Sequence, residues 1–168
     1  NKKKNYNYFF HMNSEYLNIY NNLIKLTRNK SLFLTTRIND TFSERLIIFL
    51  IHFAFFLREM KNAENKEILQ DIYDLTFKQI DTSIREIGYG DMSINKKMKN
   101  YINLFHSIII KIKDWDTMQF HQKSSFLKEL INKDADFQFF VNYIENYRSF
   151  LKNNTLNSLS KDIIDLKI

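Results

Sequence analysis

Residues 40–61, DTFSERLIIFLIHFAFFLREMK, hold an apolar run at 46–57, interrupted only by His52. A bilayer span needs about 20 apolar residues, whereas a run of 10–14 suits a buried core helix. Arg45 and Arg58 bracket the run, so it is too short to cross a membrane. Two readings remain open. The segment is the central helix of a bundle, or its surface binds a very apolar partner, and different faces can do both. Thr41 and Glu44 have capping-box spacing, in which hydroxyl and carboxylate each satisfy a free backbone N–H and start the helix. His52, alone in an apolar run, reads as a core histidine with one satisfied ring nitrogen.

Outward from this helix the composition points the same way. The chain has 168 residues, no proline and two glycines, which favours long helices over a sandwich of tight turns. An apolar content of 44% and an aromatic content of 15% suit one folded domain. Apolar positions recur with helical period. They predict helices over about 14–27, 41–61, 64–87, 92–113, 117–132 and 134–152, then a short closing helix. The inward sets are Leu17, Tyr20, Ile24 and Leu26; Leu69, Tyr73, Phe77, Ile80, Ile84 and Ile87; Met98, Ile102, Phe105 and Ile109; and Phe137, Phe140, Val141, Ile144, Tyr147 and Leu151. Residues 29–39 read as a connector, and Asp134 as the cap of the sixth helix. The fold class is all-α, a single-domain bundle of about six to seven helices over 14–168. Before it stands a basic segment, 1–13, which reads as a frayed terminus or the remnant of a targeting region.

The chemistry is sparse. Without cysteine there is no disulfide, thiolate nucleophile or cysteine-based zinc site. His11, His52, His106 and His121 form no HxxxH or HExxH pair. The glycines of GYG lack phosphate-loop spacing and lie between helices. The residues name no catalytic group, no metal and no cofactor. The net charge of +6 permits nucleic acid, anionic lipid or an acidic partner and selects none. Glu67, Asp71, Asp74 and Asp81 make an acidic stripe, which is a solvated face or a docking surface. Lys96, Lys97 and Lys99 crowd the start of a helix, where cations oppose the dipole. They are either solvated lysines or partners of an anion.

Both glycines fall in residues 85–93, REIGYGDMS. Gly88 is expected to end the third helix with left-handed dihedrals, which cost a residue with Cβ about 1–2 kcal/mol. Gly90 is expected to let the chain turn or pack backbone on backbone, with Asp91 capping the next helix. Arg85, Glu86 and Asp91 would then cluster around a rigid corner.

The longer stretch QDIYDLTFKQIDTSIREIGYGDMSINKKMKNYINLF resembles the ubiquinol–cytochrome c chaperone family of complex III assembly factors. That family's signature runs roughly D-x-D-x-x-L-R-E-x-G-V-G-D-L-x-V-x-K-x-V-K. Asp81, Arg85, Glu86, Gly88, Gly90, Asp91, Lys97 and Lys99 match it. Met92 and Ile94 stand at its apolar positions, and Ile84 replaces leucine. Upstream, Arg28, Asp40, Thr41, Arg45 and His52 fall at fitting positions, and the resemblance covers about 20–159. The chain departs at Glu44, Leu46 and Ile47, at Gln79, and at His106 and Ser107.

The resemblance implies a chaperone and not an enzyme. It implies that newly made cytochrome b is held together with a small helical partner. Partner or client contacts are expected at Arg45, His52, Asp81, Arg85, Glu86, Asp91, Lys97 and Lys99, with Gly88 and Gly90 as the structural turn. The implied place is the mitochondrial matrix side of the inner membrane, with peripheral membrane association allowed, or an alphaproteobacterial cytoplasm. The competing function is a component of, or factor bound to, the mitochondrial ribosome or its rRNA, reusing the fold.

Overall fold

A computed structural model describes the backbone of residues 2–131 and 134–161, with side chains from Ser14 onward. Eight helices lie within the described residues: α1 (Lys2–Thr27), α2 (Lys30–Thr36), α3 (Phe42–Met60), α4 (Lys66–Glu86), α5 (Asp91–Ile112), α6 (Phe120–Leu130), α7 (Phe137–Lys152) and α8 (Leu156–Lys161). No strand occurs among these residues, and the fold is all-α.

α3 is the central helix. It packs against α1, α5 and α7, while α4 packs on α1 and α5, and α8 closes over α1. Leu46 and the whole run from Ile48 to Phe56 are buried. Burying each such Leu, Ile or Phe side chain is worth about 1.5–3 kcal/mol, so this run is the largest apolar contribution of any single helix. Aromatic contacts tie its faces to three neighbours. Phe49 meets Tyr20 of α1 edge-on at 5.6 Å, and Phe53 stacks on Phe105 of α5 at 5.4 Å. Phe55 meets Trp115, just past α5, at 5.0 Å.

The Phe53–Phe105 and Phe55–Trp115 contacts advance along both chains in the same sense, so α3 and α5 run parallel. α4, which joins them in sequence, runs back antiparallel on the side of α5 and α1. At the far end, Arg148 of α7 is 4% exposed and is ringed by acids. Its Nε donates to Glu59 at 2.7 Å, one terminal nitrogen to Glu145 at 2.9 Å and the other to Asp116. Arg58 adds a second pair to Asp116, and the two guanidiniums push that carboxyl down to about 2. Trp115 donates its indole N–H to Glu145 at 2.8 Å, and Lys123 lies over the indole ring at 5.1 Å.

Several boundaries differ from expectation. The helical backbone of α1 begins at Lys2 rather than near 14; the side chains of the basic segment 1–13 lie outside the described residues. In α1, Leu17 faces solvent while Tyr16, Ile19 and Leu23 fill the core. The connector holds α2, capped by Asn29, whose side chain accepts from the Ser31 N–H. Only half of the capping box forms: Thr41 accepts the Glu44 N–H at 3.2 Å, while its own N–H goes to the Asn39 carbonyl. Glu44 Oε2 is buried without a hydrogen bond, and burial pushes its carboxyl up.

Phe137 is the first residue of α7 and Asp136, not Asp134, is its cap, accepting from the Phe139 N–H at 2.9 Å. The Asp136 N–H also reaches the Thr36 carbonyl, tying α2 to α7. α6 starts at Phe120, three residues later than expected, and its expected end at 132 lies outside the described residues. The inward set of α7 is buried throughout.

Candidate functional site

The corner between α4 and α5 contains the most distinctive residues of the sequence. α4 turns at Ile87, and Gly88 follows with φ +92°. Its N–H reaches back to the Arg85 carbonyl at 3.0 Å. The expected left-handed glycine is therefore in place. An added Cβ at Gly88 would meet nothing within 4 Å, so the penalty for other residues is torsional, not a clash.

Gly90 differs from expectation. Its φ of −67° and ψ of 151° are open to any residue, and a Cβ there would also meet nothing within 4 Å. No backbone packs against it. Gly90 itself is the cap of α5, and its carbonyl accepts the Ile94 N–H at 3.1 Å. Asp91 is the first helical residue instead. Its carboxylate sits at the positive end of the helix dipole and reaches across the corner to Arg85.

Arg85 links the two helices. Its Nε donates to Asp81 Oδ2 at 2.7 Å within α4, and a terminal nitrogen donates to Asp91 Oδ1 at 3.1 Å in α5. These hydrogen bonds, those to Asp81 foremost, push the guanidinium's pKa further up. The expected cluster forms with one absentee. Glu86 is exposed and makes no ion pair among the described residues.

The lysines divide. Lys97 is half-buried with its ammonium 4.4 Å from the centre of the Tyr89 ring, which explains a cation in an unfavourable part of the helix dipole. Lys96 and Lys99 stand exposed. Around them the corner presents Ile87, Tyr89 and Met92, which are 49%, 42% and 89% exposed. Ile87 was expected to face inward. It lies one residue past the end of α4, where the helical stripe no longer applies. The signal for this patch was the pair of glycines itself, which supply no side chains to cover their neighbours.

Two expected contact residues lie elsewhere. Arg45 forms a two-armed ion pair with Asp40, one arm at 2.9 Å, and holds that carboxyl below its usual range. The pair lines a cleft of about 270 Å³ between α1, α3 and α4, together with Tyr20, Arg28 and Ser83. His52 is fully buried. Its Nδ1 donates to the Ile48 carbonyl at 2.7 Å, so its Nε2 accepts from the Tyr143 hydroxyl at 2.8 Å. Tyr147 donates to the His52 carbonyl at 3.0 Å. Both ring nitrogens are satisfied, not one, and desolvation lowers the ring's pKa to about 4. A neutral imidazole sealed from solvent can set packing between α3 and α7. It can touch a partner only if the core opens.

Of the acidic stripe, Glu67 and Asp71 join Glu15 and Glu64 along a groove between α1, α4 and α8. No group of His, Cys, Asp and Glu that could hold a metal occurs among the described residues, and none of their helices is long and apolar enough to cross a membrane.

Residues 35–115, from the end of α2 through α5, match the sequence model of the ubiquinol-cytochrome C chaperone family. The crystal structure of the Cbp3 homolog from Brucella abortus is similar in fold at a TM-score of 0.79 and 20% identity, covering 99% of this chain and 97% of that one. No curated protein sequence matches the chain. The matched span, just under half of the chain, contains the central helix, Arg45 with its partner Asp40, and the whole glycine corner, and over this stretch the chain is similar to the ubiquinol-cytochrome C chaperone family.

Proposed function

We propose that this protein is a non-catalytic assembly chaperone for respiratory complex III, holding newly made cytochrome b together with a small helical partner. The family match over residues 35–115 carries the reading, because that span includes the corner from Asp81 to Lys99. Cytochrome b is almost all transmembrane helix, so its holder must cover apolar surface before assembly. The corner supports this with an exposed apolar trio, Ile87, Tyr89 and Met92, edged by Lys97, Asp91 and Glu86. An apolar centre with a charged rim is the usual anatomy of a protein interface. In this reading Arg85, paired to both Asp81 and Asp91, fixes the angle at which the trio is presented. The work is done where complex III is built, on the matrix side of the inner membrane or in an alphaproteobacterial cytoplasm.

Affinity purification from the native organelle or cell, under gentle extraction, tests the proposal. Cytochrome b or a small helical protein should co-elute, and Met92→Asp should reduce the recovery. Recovery of neither sinks it. Exposed Lys96 and Lys99 favour a second reading, a ribosome-bound factor whose lysines contact rRNA phosphates. Such binding weakens steeply with salt, and absence from ribosomal fractions even at low salt removes it.

A further inference from the structure

A slot of about 410 Å³ opens where α3, α4 and α5 meet, on residues that the corner does not use. Its floor is apolar, formed by Leu57, Tyr73, Phe105, Ile109 and Ile112. Its two ends differ. At one end Tyr73 and His106 are hydrogen-bonded to each other at 3.0 Å, which spends their polar atoms. At the other end stand Lys61, Lys113 and Arg58, the last already paired with Glu59 and Asp116.

Because α3 and α5 run parallel, both helices bring their C-terminal ends to this second end. Lys61 caps α3 and Lys113 caps α5. Both lysines are exposed and make no ion pair among the described residues, and no carboxylate lines the slot. Two helix C-termini contribute roughly half a negative charge each, which two full ammonium charges exceed. The end is therefore a net cationic mouth on an apolar trough.

Size and polarity select the occupant. His106 and Lys113 are seven residues apart on one helix, which sets a length of roughly 10 Å. A helix laid over that length would place only about two turns on the floor. An extended peptide would bring backbone N–H and C=O groups that need partners, and the helical walls offer none. An acyl chain has no such groups. We propose that this slot binds a single-chain anionic lipid, a fatty-acid anion, with its carboxylate between Lys61 and Lys113 and the adjoining part of its hydrocarbon along Ile109 and Phe105.

The inference stands apart from the chaperone reading, and the failure of either leaves the other in place. The test is calorimetric titration of the full chain with laurate below its micelle concentration, with dodecanol as the uncharged control. Laurate should bind one to one, about tenfold or more tighter than dodecanol. The double variant Lys61→Glu with Lys113→Glu should lose that advantage, and Ile109→Trp should fill the slot and abolish binding. If Ile109→Trp fails to fold, the exposed lysine variants decide alone. Absence of laurate binding overturns the proposal. So does equal affinity for laurate and dodecanol, wild-type affinity in the lysine variant, or binding to anionic vesicles with none to free laurate.

Discussion

The α3–α7 core and the α4–α5 corner carry the chain's two most specific polar arrangements, and they are built on opposite terms. In the core, His52, Tyr143, Tyr147 and Arg148 are buried with their polar atoms paired. At the corner, Asp91 and Met92 are almost fully open, Arg85 is half open, and only Gly88 holds a conformation that restricts the residue. An unpaired group in the core costs its full desolvation, whereas exposed ion pairs contribute little stability. Damage to the core should therefore register as lost folding, and damage to the corner as lost binding.

The largest break should come from Arg148→Ala. It removes one of the two guanidiniums on Glu59, itself 7% exposed, and leaves Arg58 at 2.6 Å as the other. Removing one member of a buried ion pair costs about 3–5 kcal/mol when its partner is left alone, which sets the upper bound on the loss, to be read as a lower urea midpoint. An unchanged midpoint would mean that water enters this network freely.

The next effect is acid sensitivity. His52 titrates at about 4 in the fold against an ordinary value of 6.5. Between those values the unfolded chain takes up a proton that the folded chain refuses. Stability contributed by the neutral ring is complete above pH 6.5 and declines as pH falls toward 4, by about 3 kcal/mol in all. Urea melts across that window should show the slope, and His52→Gln should flatten it. A wild-type chain equally stable at pH 7 and pH 5 would show that the ring is solvated.

Smaller effects separate the two glycines. Gly88→Val should destabilise by about 1–2 kcal/mol, the torsional cost of a positive φ. Gly90→Ser should raise the melting temperature slightly, because a serine at the cap adds a few tenths of a kcal/mol. Equal responses would erase the distinction drawn from their dihedrals. The smallest thermal effect belongs to Lys97→Glu. It loses the contact with Tyr89 but gains a favourable charge near a helix start, each below about 1 kcal/mol. Melting should barely move, while partner recovery in a pull-down falls. A large drop in melting temperature would make Lys97 part of the scaffold instead.

The unequal legibility of the sequence has the same origin. α3 was readable because an all-round apolar run has one home, the middle of a bundle. α7 was readable because a single stripe faces a single neighbour. α5 was read as a single stripe narrower than the one it buries, with Phe105 buried as expected. Ile94, Ile108 and Ile112 are buried, while Met98, Ile102 and Ile109 are only partly so, because α5 packs on both α3 and α4 and its buried stripe is wider than one face. α2 has seven residues, too few for a period to declare itself. Asp134 and Asp136 have the same capping chemistry, and the burial of Phe137 chose between them. At the corner, dihedral demands were visible in the glycines. Exposure was not, since nothing local distinguishes an inward Ile87 from an outward one.

Trp115 is the chain's one tryptophan. It is fully buried, its N–H is bound to Glu145, and Lys123 lies over its ring. Intrinsic fluorescence excited at the indole therefore reports on the junction of α3, α5, α6 and α7. Its emission should start blue-shifted and move red only when that junction opens. Changes confined to Gly88, Tyr89 or Lys97 should leave the spectrum silent. The wild-type chain thus carries a built-in reporter that separates loss of the core from loss of the corner without an added label.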